Sequence, residues 1–79
     1  MIRPRLTVLS RAYCHLCEEL LAALKQYQGR YDFDIEVIDV DSDPRLDELY
    51  GADVPVLQSA DGKELCRHRL TPEAIRRLG

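Results

Sequence analysis

The 79-residue sequence predicts a single α/β domain whose elements follow in the order β-α-β-α-β-β-α. Three observations carry this prediction: apolar residues recur at helical spacing after the first strand, they alternate with acidic residues in the second strand, and an Asp-Gly turn joins the last two strands. A strand-helix-strand unit followed by a hairpin gives a mixed four-stranded sheet with helices on both faces. Because the sequence contains no linker or repeat, residues 1–79 are expected to form one domain.

The first half of the chain supplies the strand-helix-strand unit. Residues 6–10 are β-prone, and a helix is predicted to begin near Cys14 and to stop at Gly29. Apolar residues on one side of this helix are spaced by three and four, and the second strand alternates as a half-buried strand does. The helix positions are Leu16, Leu20, Ala23, Leu24 and Tyr27, and the strand positions are Phe33, Ile35 and Val37.

The second half adds two short helices and a hairpin. Each helix is indicated by a capping residue followed by proline, and the hairpin by a two-residue turn signal. The predicted segments are a helix from Asp43-Pro44 to Gly51 that packs through Leu46, Leu49 and Tyr50, strands over 56–59 and 63–68 joined by Asp61-Gly62, and a helix from Thr71-Pro72 to about Leu78.

Composition and charge exclude several classes of protein. The longest wholly apolar run, residues 20–24, is far shorter than the ~18 residues of a membrane span, and no signal peptide fits the N-terminus. The net charge of −3 divides into +3 over 1–30, −8 over 31–53 and +2 over 54–79. No continuous basic face for nucleic acid is expected from that distribution. We expect a cytoplasmic monomer that binds neither nucleic acid nor a membrane.

The chemistry is expected at Cys14 and Cys17, which enclose His15 and Leu16 where the first strand meets its helix. Unpaired N–H groups and the helix dipole favour a thiolate at a helix start, so Cys14 is the predicted nucleophile. Cys17 lies one turn later on the same face, within bonding reach and better shielded, so it is the predicted resolving thiol. Cys66, the odd cysteine, is expected to be a buried small hydrophobe.

Two motifs resemble a known family. Residues 10–17, Ser-Arg-Ala-Tyr-Cys-His-Leu-Cys, are similar to the active-site turn of glutaredoxins, especially the small glutaredoxin-like proteins with a Cys-His-Leu-Cys motif. Residues 54–57, Val-Pro-Val-Leu, resemble that family's Val-Pro element, and residues 37–50 also match its pattern. The resemblance spans essentially the whole chain. It implies a glutaredoxin-like variant of the thioredoxin fold, with strand order 2-1-3-4, and activity as a thiol-disulfide oxidoreductase.

The resemblance also implies roles for single residues. The peptide bond before Pro55 is expected to be cis, and the backbone of Val54 to face the cysteines and pair with an extended substrate. Arg11 stands where glutaredoxins often carry a lysine that favours the thiolate and contacts a glutathione carboxylate. From its position alone, His15 does not face the nucleophile and is expected to tune the thiolate electrostatically rather than to act as a base. Tyr13 is expected either to border the substrate groove or to be a partly exposed packing residue.

The expected partners follow from this chemistry. They are a protein or low-molecular-weight disulfide and a thiol reductant, and no resident cofactor is predicted. Where glutaredoxins carry a Gly-Gly pair and a polar cap, this chain has residues 67–72, ending in Thr71-Pro72, so one N–H that holds the glutathione γ-glutamyl carboxylate is missing. Glutathione as a co-substrate and a thioredoxin-type reductase system therefore stay open as alternative reductants.

Two other functions compete with redox chemistry. One is a non-catalytic thioredoxin-fold binding module, in which the cysteines take no part in a reaction. The other is a metal or iron-sulfur carrier that uses Cys14, Cys17, Cys66 and His68 as ligands. Because the sequence holds no second paired cysteine motif, no metal site is predicted.

Overall fold

The computed structural model describes residues 3–78, which form a four-stranded sheet in the order β2-β1-β3-β4. The central strand β1 pairs in parallel with β2 and antiparallel with β3, which pairs antiparallel with β4. The predicted element order, mixed sheet and strand order are confirmed. The strands are β1 (Arg5–Ser10), β2 (Asp34–Asp39), β3 (Val56–Gln58) and β4 (Glu64–Arg67); the helices are α1 (His15–Tyr27), α2 (Pro44–Tyr50) and α3 (Pro72–Arg76), with a 3-10 turn at Val40–Ser42.

Side chains that alternate along β1 divide the core into two layers. Leu6 and Val8 face a larger cluster that contains Leu20 and Leu24 of α1, Ala74 of α3 and Phe33, so α1 and α3 cover this face. The opposite face is covered by α2, through a smaller cluster of buried residues and half-buried neighbours. Helices therefore lie on both faces of the sheet, as predicted. The smaller cluster consists of Leu9, Val40 and Val56, with Ile38, Leu46, Tyr50 and Val54 packed against it.

Local capping chemistry fixes the helix starts where the sequence placed them. The Asp43 carboxylate accepts the N–H of Arg45 at 2.9 Å, and the Thr71 hydroxyl accepts the N–H of Ala74 at 3.2 Å. Each contact satisfies one of the N–H groups that the first turn of a helix leaves unpaired. Gly62, with φ +86°, occupies the left-handed turn between β3 and β4, which explains why the Asp-Gly signal located the hairpin.

Some predicted boundaries and buried faces are wrong. Leu16 is exposed because the buried side of α1 is formed by Cys17, Leu20 and Leu24 instead. Val37 is about half exposed because β2 is an edge strand, and Leu49 is exposed on α2. The last helix stops at Arg76, although Leu78 beyond it is buried.

Within residues 3–78, every helix is too short or too polar to cross a membrane.

Candidate active site

The strand register brings the two sequence motifs together at one end of the sheet. Leu9 of β1 pairs with Val56 of β3, so the chain that leaves β1 after Ser10 passes beside Pro55. The turn between β1 and α1 carries the cysteines, and the loop before β3 carries the Val-Pro element. Residues some forty positions apart in the sequence thus lie at the same end of the sheet.

The cysteine pair has the geometry that the spacing predicts. Cys14 is the N-cap of α1, and its sulfur accepts the N–H of Cys17 at 3.2 Å. The two residues form a disulfide, with their Cα atoms 5.2 Å apart. Cys17 is only 2% exposed, whereas Cys14 is half-buried. A sulfur that already accepts a helix N–H lies where a thiolate is stabilised, and the less buried member of the pair is the one at the helix start.

The residues on either side of Cys14 in the chain are exposed. Tyr13 adopts a left-handed backbone conformation, φ +59°, and its side chain is fully exposed, so it does not pack against the domain. His15 is also exposed, and its ring lies 3.2 Å from a carboxylate oxygen of Glu19 and 3.9 Å from one of Glu18. The imidazole is thus directed along the helix surface.

Arg11 makes a set of contacts that the sequence did not reveal. Its Nε donates to both carboxylate oxygens of Asp41 at 3.2 Å, and its Nη1 donates to the carbonyl of Gly51 at 3.1 Å. Its Nη2 bonds the carboxylate of Asp47 and lies 3.1 Å from that of Asp41. The hydrogen bond to Asp41 is the main reason that the pKa of Arg11 is raised. The guanidinium therefore ties the cysteine turn to α2, on the other side of the sheet end.

The glycine at the end of α2 permits this arrangement. A Cβ on Gly51 would stand 2.6 Å from the carbonyl oxygen of Asp47 and 2.9 Å from Nη2 of Arg11. Only glycine lets the backbone approach the guanidinium this closely. The sequence predicts Gly51 as a helix stop, which is confirmed, whereas its contact with Arg11 has no sequence signal.

The loop before β3 is anchored on its other side by β4. The Val54-Pro55 peptide bond is cis, as the resemblance implied, and the carbonyl of Pro55 accepts the N–H of His68 at 2.8 Å. Arg67 donates at 2.6 Å to both Asp53 and Glu64, which holds the start of the loop against the sheet edge. The Pro55 side chain is buried and Val54 packs against the smaller core cluster.

Cys66 lies apart from this site. It is buried in the larger core cluster, where burial raises the pKa of its thiol, so it behaves as the small hydrophobe that was predicted. Across residues 3–78, no three or more His, Cys, Asp and Glu side chains are grouped in a way that could hold a metal ion.

Comparisons with known proteins agree with this description. The family model for the glutaredoxin-like domain (DUF836) matches residues 5–78. The solution structure of protein Ne2328 from Nitrosomonas europaea is 38% identical, with a TM-score of 0.89 over 100% of this chain and 95% of that one. The X-ray structure of structural-genomics target protein XcR50 from X. campestris is 30% identical, with a TM-score of 0.75 over 91% of each chain.

A third solved structure extends the likeness of fold alone. A malarial protein of 16% identity aligns with a TM-score of 0.66 over 98% of this chain and 93% of its own. A search of curated proteins gives no significant match.

The fold and the site together define a thioredoxin-fold domain that carries a pair of cysteines within bonding distance at the start of its first helix. The chain belongs to the glutaredoxin-like domain family (DUF836).

Proposed function

We propose that this protein is a dithiol oxidoreductase that reduces disulfides, with Cys14 as the nucleophile and Cys17 as the resolving thiol. The observation that carries the proposal is the difference between the two cysteines. Cys14 is only partly buried and its sulfur accepts an N–H at the helix start, whereas Cys17 is bonded to it from a buried position. This asymmetry is what a two-thiol exchange cycle requires.

The cycle consists of two exchange steps. In the reduced protein, the Cys14 thiolate attacks one sulfur of a substrate disulfide, a mixed disulfide forms, and the first substrate thiolate leaves and takes up a proton. The Cys17 thiol then loses its proton and attacks Cys14, which releases the second substrate thiol and closes the internal disulfide. The substrate gains two electrons and two protons, and the protein loses them. An external thiol reductant must then restore the pair.

Several neighbours support substrate binding at the same end of the sheet. Tyr13 is exposed next to the nucleophile, and the Val54 backbone precedes the cis bond beside the cysteine turn. An extended substrate segment that pairs with Val54 would bring its disulfide to Cys14, while Tyr13 would cover it from the solvent side. The proposed role of His15 is to tune the thiolate through its charge, which the neighbouring Glu18 carboxylate offsets.

The experiment is a turnover assay with insulin or hydroxyethyl disulfide, in which the protein is recycled by glutathione or by a thioredoxin-type reductase. Cys14→Ser is expected to abolish turnover. Cys17→Ser is expected to accumulate the mixed disulfide on Cys14, visible as a mass increase equal to one substrate half. Cys66→Ala is the matched control, since it removes a thiol that lies buried in the core, and it should retain turnover.

A second measurement tests the activation of Cys14 without a chosen substrate. The rate of alkylation of the reduced protein is measured against pH, and the thiolate is expected to form below the ordinary thiol pKa of ~8.5. A wild-type protein that is inert with each reductant, and whose Cys14 titrates like a free thiol, would contradict the proposal. That outcome would favour the non-catalytic binding module.

A further inference from the structure

We propose that the site selects disulfides by charge, accepting neutral and cationic ones and rejecting anionic ones, because the protein itself neutralises the basic residue that precedes the cysteines. This inference rests on the proposed function and specifies its substrate class. It is carried by the contacts of Arg11 and by the charges that surround the two cysteines.

The first step is that the positive charge of Arg11 is already neutralised and is not available to a ligand. Its donors are directed at two carboxylates, Asp41 and Asp47, and at the carbonyl of Gly51. One positive charge is therefore met by two negative charges, and the cluster is left with a net charge of −1. A carboxylate on a substrate would have to displace an existing partner and would meet the second acidic group of the cluster.

The second step concerns α1, on the other side of the nucleophile. Glu18 follows Cys14 by one turn, and its N–H bonds the Cys14 carbonyl. Glu18 and Glu19 share His15 as their neighbour, so the exposed first turn of α1 is negative when the imidazole is neutral. An anionic disulfide that approaches Cys14 along this helix meets like charge.

The third step concerns the sheet edge beyond the Val-Pro loop. Asp53 and Glu64 both form ion pairs with Arg67, so these three side chains together carry a net charge of −1. Arg69 is the cation of this region with no ion pair in the described part of the chain. It lines a groove of about 230 Å³ together with Glu19, so an acidic group lines the same groove. The net charge of each of the three regions around the cysteines is thus negative or zero. These regions are the Arg11 cluster, the first turn of α1 and the sheet edge beyond the Val-Pro loop.

The test compares three disulfides of different charge as oxidants of the reduced protein: cystamine (cationic), hydroxyethyl disulfide (neutral) and glutathione disulfide (anionic). Second-order rate constants are measured from low salt to about 0.5 M NaCl, where charge effects are screened. The rate with cystamine is expected to fall, the rate with glutathione disulfide to rise, and the rate with hydroxyethyl disulfide to stay constant. Because each disulfide is compared with itself, differences in leaving-group pKa do not enter.

Variants that release Arg11 test the cause. The double substitution Asp41→Asn and Asp47→Asn removes two negative charges and frees the guanidinium, and it is expected to raise the rate with glutathione disulfide about three- to tenfold at low salt. The rate with cystamine should fall by a similar factor. Glu48→Gln is the matched control, since it removes an exposed carboxylate of the same helix that has no ion-pair partner among residues 3–78, and it should change neither rate by more than twofold.

The outcomes separate this inference from the function on which it rests. A protein that reacts with none of the three disulfides would refute the oxidoreductase itself. Reaction with all three and a salt dependence that is the same for each would overturn charge selection while leaving the oxidoreductase intact. If the double variant does not fold, the salt dependence of the wild-type protein decides the matter alone.

Discussion

Substitution of Gly29, Gly51 and Gly62 by alanine tests the contacts around Arg11, because alanine is expected to have a different effect at each position. At Gly51 the backbone φ of −54° is one that alanine adopts freely, so only the surroundings oppose the substitution. Those surroundings are close: the added Cβ would lie 2.6 Å from a backbone carbonyl oxygen of α2 and 2.9 Å from Nη2 of Arg11. A carboxylate oxygen of Asp47 is closer still, so the end of the helix, the Asp47 side chain and the guanidinium would all have to shift.

The size of the effect follows from two opposing contributions. Alanine in a compatible conformation stabilises a protein by about 0.4–1 kcal/mol, because it restricts the unfolded chain. Overpacking against groups that cannot yield costs about 1–3 kcal/mol. For Gly51→Ala the second contribution is larger, and we expect a net loss of about 1–2 kcal/mol. In a domain of this size the midpoint of thermal unfolding should fall by about 5–15 °C.

The other two glycines are the controls. A Cβ on Gly29 would meet nothing within 4 Å, so Gly29→Ala is expected to stabilise the protein by about 0.4–1 kcal/mol. Gly62 has a φ of +86°, so Gly62→Ala is expected to cost about 1–2 kcal/mol through backbone strain without any clash. All three variants are compared by urea unfolding with the cysteine pair kept oxidised, so that the disulfide contributes equally.

The result that would refute the reasoning is a Gly51→Ala protein as stable as Gly29→Ala. Because alanine fits the backbone at both positions, that result would show that the space beside Gly51 is open. The close approach of Arg11 to the end of α2 would then be wrong.

Three further predictions use the same measurement, urea unfolding. Leu24→Ala should cost about 2–5 kcal/mol because the residue is fully buried, whereas Leu49→Ala, at a side chain that is 65% exposed, should change stability by less than about 0.5 kcal/mol. Burial raises the pKa of Cys66 in the folded protein. The stabilising contribution of this thiol is therefore complete below the unfolded pKa of ~8.5 and is lost as the pH rises through the folded pKa. Cys66→Ala should remove this loss of stability at alkaline pH. The hydrogen bond from Arg67 lowers the pKa of Glu64 in the folded protein. The contribution of Glu64 to stability is therefore present above the ordinary pKa of ~4.3 and is lost as the pH falls through the folded pKa. Glu64→Gln should reduce this loss of stability at acid pH.

The features that the sequence predicted well depend on residues close together in the chain. Helix starts at Asp43 and Thr71 were predictable because the capping side chain and its N–H partner are two or three residues apart. The cysteine pair was predictable for the same reason, since a separation of three on a helix places two residues on one face. Local chemistry of this kind determines the order of the elements, and the order then limits the topology.

The features that were missed depend on which surfaces the assembled elements cover. Val37 alternates correctly for a buried strand face, yet it is about half exposed because its strand lies at the sheet edge. Leu49 has helical spacing, yet α2 buries a narrower side than the pattern indicates. Periodicity identifies an element and its apolar side, but the extent of burial is set by neighbours that the pattern does not contain.

Arg11 is the clearest case of a role that local sequence could not predict. Its partners Asp41, Asp47 and Gly51 are 30, 36 and 40 residues away, and the long acidic stretch that contains two of them is compatible with simple solvation. The guanidinium satisfies a carbonyl at the end of α2, where cations are favoured by the helix dipole. The same charge cannot also serve an anionic substrate, so the fold and the recognition of anions compete for one side chain.

The stability of the fold and the selection of substrates by charge are therefore linked through Arg11, and this link can be measured. If the Cβ of Gly51→Ala displaces Arg11, the variant should lose stability and, at low salt, react faster with glutathione disulfide relative to hydroxyethyl disulfide. Gly29→Ala should leave the ratio of the two rate constants unchanged. A destabilised Gly51→Ala protein with the wild-type ratio would show that the strain is taken up by α2 alone, and that Arg11 keeps both of its carboxylate partners.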